Sequence, residues 1–366
     1  MSRHMRTFMI VCIVFFLLLT FGMIAAGMAM NKEGHDEEPV RSVPKKGHTA
    51  PVSYPYSQFD KRGQALYDAL YKGILNQEDE IRLPDTYNRL EYEKVYLTVS
   101  MQEPELISLD KAYETSDLMQ SAKIHYAIKK DKADSMRDEM ERVADEIIKK
   151  TKNAASDMEK MLIIHDEIAM GCEYEEQWDI PDSAYTALVR GRAQCEGYAK
   201  AFAYVCRRAG LDVMLVTGKS GRGENHVWNK ANMDGAYYNI DVTWDDVSGY
   251  VTHSCFAIAD ALFGDHLPDY RGFTPPASGM DVTETYYYQR NLMVRNYSEF
   301  PEQIRQWART AGGSMIEFQC ADTVTFEEVC YALQMDPTLC TPENCGTSLD
   351  GRRLIPDEMR QVVVIL

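Results

Sequence analysis

Three residues in the middle of the chain have the types and spacing of a nucleophile and its base. Cys195, His226 and Asp241 are separated by 31 and 15 residues. A thiol attacks as its thiolate, and its pKa, near 8.5 when free, falls at a helix N-terminus and beside an imidazolium. Cys195 meets the first condition. With Ala199, Phe202 and Cys206 it forms one helical face that closes at Gly210, a suitable C′ residue, so the thiol stands at or just before the first turn. The second condition follows from hairpin arithmetic. Asp234-Gly235 is a two-residue turn signal, which sets Met233 opposite Ala236, Trp228 opposite Asp241 and His226 opposite Thr243. Because strand side chains alternate, His226, Trp228, Asp241 and Thr243 are expected on one face, with His226 diagonal to Asp241. Diagonal Cα atoms stand roughly 7–8 Å apart, a gap that an imidazole and a carboxylate can bridge.

A helix carrying Cys195 and packed on that face would assemble the parts of acyl transfer. His226 would take the thiol proton and return it to a leaving amine, Asp241 would fix the imidazole, and the acyl group would pass through a thioester. The Cys195 N–H is one expected oxyanion donor, with Gln194 and Tyr185 as weaker candidates for the second. Asn225, Glu224 and Trp228 flank the site and are candidates to shape the substrate cleft. Thiolate, imidazole and carboxylate suffice for this chemistry, so no metal or organic cofactor is expected.

The surrounding pattern supplies the scaffold. Leu66, Leu70 and Ile74 mark a helix over Arg62 to Leu75, and Met136, Met140, Val143 and Ile147 mark another. Ser156 and Glu159 have capping-box spacing and open a third, whose apolar face includes His165, expected as a hydrogen-bonded core histidine. Val95 to Val99 fits a strand or a helix end equally. Leu211 to Thr217 and His226 to Met233 read as strands around a glycine-rich loop, Gly218 to Asn225, and Ala236 to Trp244 returns from the hairpin. From Tyr286 a β-α-β-α-β string follows: strands over Tyr286 to Val294, Ser314 to Cys320 and Gln361 to Leu366, helices over Phe300 to Ala311 and Phe326 to Leu333. Cys340 and Cys345 are compatible with a disulfide or with two separate thiols. Asp245 and Asp246 read as a solvated acidic loop, and His253 and His266 have no partner at a recognisable spacing.

The blocks Ala193 to Phe202 (AQCEGYAKAF), Asn225 to Asn229 (NHVWN) and Tyr237 to Asp246 (YYNIDVTWDD) resemble the transglutaminase-like superfamily of bacterial surface proteins. The similarity extends upstream through Gln102-Glu-Pro-Glu-Leu and downstream to Asp260 and His266. It implies an α+β, papain-like core in which a helix bearing the cysteine packs on an antiparallel sheet. It also implies Cys195, His226 and Asp241 as the triad. Hydrolysis of peptide or protein amides is the favoured outcome, with protein cross-linking as the nearest alternative and a non-catalytic surface-binding module as the third. The expected order is a membrane segment over 1–30, a tether over 31–58, a mainly helical region over 59–155, the catalytic core over 156–275 and a small α/β unit over 280–366.

Composition narrows the partners. The 366-residue chain has 39 basic against 56 acidic residues, a net charge of −17, which disfavours nucleic acid. At 45% hydrophobic and 26% charged it reads as globular. Nine cysteines without paired C-x-x-C knuckles propose no structural zinc. No charge interrupts Thr7 to Met30, and Arg3 and Arg6 precede that apolar run, as in a signal anchor, while Gly27-Met28-Ala29 offers a cleavage site near Ala29. The expectation is a single-pass membrane protein with its body outside the cytoplasm, or a secreted one if cleaved, acting on peptide or protein at the cell surface.

Overall fold

The computed structural model describes residues 53–366, apart from 177–178, 248, 270–271, 280–284, 313 and 350. The expected membrane segment and almost all of the tether lie outside the described residues. Among those described, no helix is long and apolar enough to cross a membrane.

The first elements are α1 (Tyr54–Ser57), α2 (Lys61–Leu75), β1 (Glu80–Asn88), α3 (Arg89–Gln102), β2 (Leu109–Tyr113) and β3 (Leu118–Tyr126). The Leu66, Leu70 and Ile74 stripe of α2 is fully buried. The ambiguous stretch around Val95 is helix. Asn88 and Glu91 cap one another's backbone at its start, and Tyr92, Val95, Tyr96 and Val99 bury one face. The region expected to be mainly helical also holds an antiparallel sheet in the order β1-β3-β2. Its strands have irregular registers, which blurs the period-two signal.

The middle of the chain runs through α4 (Lys130–Lys150), α5 (Asp157–Gly171), β4 (Glu173–Tyr174), α6 (Ala184–Leu188), β5 (Arg192–Ala193) and α7 (Cys195–Arg208). It continues as β6 (Val213–Ser220), β7 (Asn225–Met233), β8 (Ala236–Ile240), α8 (Val242–Asp245), β9 (Asp246–Val247), β10 (Tyr250–Val251), β11 (Phe256–Ile258) and β12 (His266–Pro268). Helix α7 buries Ala199, Phe202 and Cys206 in one core with residues of α4, α5, β6, β7 and β8. The antiparallel sheet has the order β11-β8-β7-β6-β12, which is the α+β arrangement expected from the sequence.

The hairpin register is as predicted from Met233↔Ala236 to Asn229↔Ile240, around Asp234 and Gly235 at φ +53° and +93°. It then stops, so the expected pairings of Trp228 with Asp241 and His226 with Thr243 are absent. The Asp241 N–H donates instead to Cys255 O. Asp241 Oδ1 accepts from the Thr243 and Trp244 amides, which caps α8 and turns Thr243 out of the ladder. The glycine-rich loop is also shorter than expected, since β6 extends to Ser220.

The last elements are α9 (Tyr286–Gln289), β13 (Met293–Val294), α10 (Phe300–Ala311), β14 (Ile316–Cys320), α11 (Thr323–Met335), α12 (Pro342–Cys345), β15 (Leu354–Asp357) and β16 (Val362–Ile365). The stretch read as one strand over Tyr286 to Val294 is a helical turn followed by two strand residues. An additional edge strand, β15, carries Pro356, whose missing N–H hid it from a strand reading. The sheet order is β13-β14-β16-β15. Period two in β16 divides two cores: Val363 and Ile365 pack with α10 and α11, whereas Val362 and Val364 join the core around α7. Cys340 and Cys345 are disulfide-bonded.

Candidate active site

Cys195 is the first residue of α7, with Gln194 as N-cap. The amides at a helix start have no intrahelical acceptor. Asp182, 13 residues upstream, provides one: its Oδ1 accepts from Gln194 N at 3.0 Å and its Oδ2 from Gly197 N at 2.8 Å. A Cβ at Gly197 would lie 2.5 Å from Asp182 Oδ1, so the close approach requires glycine there. Burial pushes the Asp182 carboxyl up to about 6, despite the opposing hydrogen bond from the Gln194 amide, and the Glu196 charge adds to the rise. Sequence reading missed Asp182 because it lies too far upstream for a capping pattern. The Cys195 amide makes no hydrogen bond among the described residues, as an oxyanion donor requires.

The short ladder β4–β5 pairs Tyr174 with Ala193, bringing the segment after α5 alongside the residues before Cys195. The Cys195 thiol lies close enough to His226 to raise the pKa of its imidazole. His226 directs Nε2 to Asp241 Oδ2 at 2.5 Å, leaving Nδ1 for the thiol. Burial alone would lower the imidazole pKa. The Asp241 charge and hydrogen bond, with the Cys195 thiol, overcome it and raise His226 to about 10. Asp241 is 1% exposed. Burial opposes its charged form too, yet His226 and His266 hold its carboxyl well below the usual range.

His266 was not assigned from the sequence. Its Nε2 lies 3.0 Å from the same Asp241 Oδ2, and its Nδ1 lies 2.8 Å from Asp265 Oδ1. Arg360 donates to Asp265 at 2.7 Å, so the segment leading into β16 reaches the back of the site. The signal was invisible locally because Arg360 and Asp265 are 95 residues apart.

The flanking candidates separate. Gln194 directly precedes Cys195 as the N-cap of α7, and its side chain makes no hydrogen bond to a described residue. Trp228 stacks beside His226, with centroids 6.2 Å apart, but its indole N–H is committed to Asn239 Oδ1 at 3.2 Å. It is a wall of the imidazole pocket and no oxyanion donor. The Tyr185 hydroxyl donates to Glu139 Oε2 on α4 at 3.0 Å, so it too is engaged elsewhere. Asn225 opens β7 and is exposed, next to Glu224.

Residues 141–242 match the model of the transglutaminase-like superfamily. Human kyphoscoliosis peptidase is 29% identical over 169 residues, 39% of this chain and 24% of that protein. This chain thus matches about a quarter of that curated relative. Among solved structures, one described as a TGase aligns over 44% of this chain and 49% of its own, at 14% identity and a TM-score of 0.28. Another, a candidate cysteine protease from Cytophaga hutchinsonii, aligns over 36% of this chain and 40% of its own, at 18% identity and a TM-score of 0.26.

Proposed function

We propose, for a chain that carries a transglutaminase-like core, that Cys195, His226 and Asp241 form the triad of a cysteine enzyme that opens amide bonds in peptides or proteins. The observation that carries this reading is the line of side chains from the Cys195 thiol through His226 to Asp241, at the start of a helix whose first amide makes no hydrogen bond among the described residues. His226 draws the thiol proton. The sulfur attacks the carbonyl carbon while the Cys195 N–H, with Gln194 as the second candidate donor, takes the developing oxyanion. Collapse of the tetrahedral intermediate breaks the C–N bond as the imidazolium gives its proton to the leaving amine. Water then attacks the thioester and releases the carboxylate, with hydrolysis as the net reaction.

The extracytoplasmic, membrane-tethered setting proposed from the apolar N-terminal run is supported by the Cys340–Cys345 disulfide, which suits an oxidising compartment. Peptide or protein at the cell surface is the substrate class that this setting offers.

The test is the pH dependence of Cys195 alkylation in wild type and His226→Ala, read by peptide mass spectrometry. The sign follows from His226: an imidazole raised to about 10 stays cationic through neutrality, beside the thiol. Wild type is expected to react at and below neutral pH, and the variant on the order of a hundredfold more slowly. Equal rates in the two proteins would overturn the proposal in favour of a binding module.

A further inference from the structure

A second imidazole–carboxylate cluster lies outside the proposed triad and is unused by its chemistry. Asp166 Oδ1 is 2.9 Å from His165 Nδ1 and 3.0 Å from His253 Nε2. His165 and Asp166 are on α5, and His253 lies between β10 and β11. The three ligand-capable atoms fall within 4.8 Å of one another. Both imidazoles are buried, while the Asp166 side chain is 34% exposed. Among the described residues no hydrogen bond involves Asp166 Oδ2.

The outer nitrogens are fixed as firmly as the inner ones. His165 Nε2 lies 3.2 Å from Asp245 Oδ2, and Asp245 is itself held by the Cys255 amide and the Thr252 hydroxyl. His253 Nδ1 meets Glu317 Oε1, and Glu317 also accepts from the hydroxyls of Tyr286 and Tyr287. Asp245 is therefore no part of a solvated loop, contrary to the sequence expectation, whereas His165 is the buried, hydrogen-bonded histidine expected, with both ring nitrogens engaged.

Two imidazoles whose outer nitrogens each rest on a separate carboxylate, and whose inner nitrogens converge on a third, have the arrangement of metal-ligating histidines with their orienting partners. We propose that His165 Nδ1, His253 Nε2 and Asp166 bind one divalent ion of the zinc class, for which imidazole and carboxylate are suitable ligands. Tetrahedral bonds of roughly 2.0–2.1 Å place ligand atoms roughly 3.3–3.4 Å apart, so the two distances from Asp166 Oδ1, 2.9 and 3.0 Å, open by a few tenths while the two ring nitrogens, within 4.8 Å of each other, settle to the same separation. Each bound imidazole keeps one N–H, donated to Asp245 or Glu317. The Asp166 side chain, 34% exposed, leaves that side of the cluster within reach of water. The ion would clamp α5 to the His253 segment and, through Glu317, to β14. It has no step in the thiol chemistry.

The Asp241 cluster is a poorer ion site. Asp241 Oδ1 is taken by two backbone amides, and the free nitrogen of His226 faces a thiol.

The experiment adds Co²⁺ to the chelator-treated full chain and reads its visible absorption, with Zn²⁺ as competitor. One equivalent of tetrahedral Co²⁺, displaced by Zn²⁺, retained in Cys195→Ala and His226→Ala and lost in Asp166→Asn, is the expected result. Asp166→Asn preserves shape, and a far-ultraviolet circular dichroism spectrum like that of the wild type would show that it still folds. Absence of the absorption band would overturn the site. So would its loss in His226→Ala, which would move the ion to the other cluster. The proposed thiol chemistry can fail without affecting either reading.

Discussion

Around Asp241 and around Asp166, one carboxylate oxygen faces two ring nitrogens, at 2.5 and 3.0 Å in the first cluster and at 2.9 and 3.0 Å in the second. The local geometry is nearly the same, and the difference lies one bond further out. At Asp241 the second oxygen caps α8 through two amides, and one of the two imidazoles turns its remaining nitrogen to a cysteine. At Asp166 both imidazoles turn their remaining nitrogens to buried carboxylates, Asp245 and Glu317. The first arrangement can pass a proton to and from sulfur. The second turns to no nucleophile among the described residues and is suited to holding elements, or an ion, in place. A His–carboxylate–His contact is thus no functional signature by itself; what the outer nitrogens meet decides its use.

The comparison breaks most visibly if Asp241 is disabled. Asp241→Asn keeps the size and part of the cap but removes the charge that orients His226 and favours its cationic form. Turnover of any peptide amide cleaved by the wild type should fall on the order of 10³–10⁴-fold in kcat/KM. A loss below tenfold would leave Asp241 with no more claim to catalysis than Asp166.

The matching test in the second cluster concerns stability. Asp245→Ala strips a buried acceptor from His165, the Thr252 hydroxyl and the Cys255 amide, leaving donors without partners in a fully buried site. Removing one partner of a buried charged network costs about 3–5 kcal/mol, which urea unfolding would read. A cost under about 1 kcal/mol would mean that the network relaxes or fills with water, and would weaken its case as a clamp.

What could be read in advance follows from the range of the forces involved. The Cys195 helix was visible because its stripe and its closing glycine are local. The hairpin register was visible because Asp234-Gly235 fixes it, and five pairs form as counted. The His226–Asp241 couple forms, but by another route: Asp241 leaves the ladder to cap α8, a choice between side-chain and strand hydrogen bonds that the alternation pattern does not weigh. Asp182, Glu317 and Arg360 escaped notice, and His266 was left without a partner, for a different reason. Each acts across a tertiary contact, Glu317 on His253 from 64 residues away, and no periodicity marks the meeting point. The error at Asp245 has the same origin, since adjacent acidic residues look solvated until their buried partners are known.

The smallest expected effect sharpens the boundary of the catalytic region. Tyr185 was a candidate oxyanion donor by proximity in sequence, ten residues before Cys195. Its hydroxyl instead donates to Glu139 on α4, 3.0 Å away. Burial raises the phenol pKa, and the Glu139 hydrogen bond adds to that rise, so the proton stays on Tyr185 and is directed at the glutamate. Tyr185→Phe removes one hydrogen bond at the α4–α6 contact and should cost about 1 kcal/mol in thermal or urea unfolding. The Cys195 alkylation rate and any peptide turnover should stay at wild-type level, because that bond joins α4 to α6 and does not involve the thiol, His226 or Asp241. A turnover loss of tenfold or more with unchanged stability would return the hydroxyl to the oxyanion. Gln194 would then lose its place as the second donor, and the catalytic region would extend to α6.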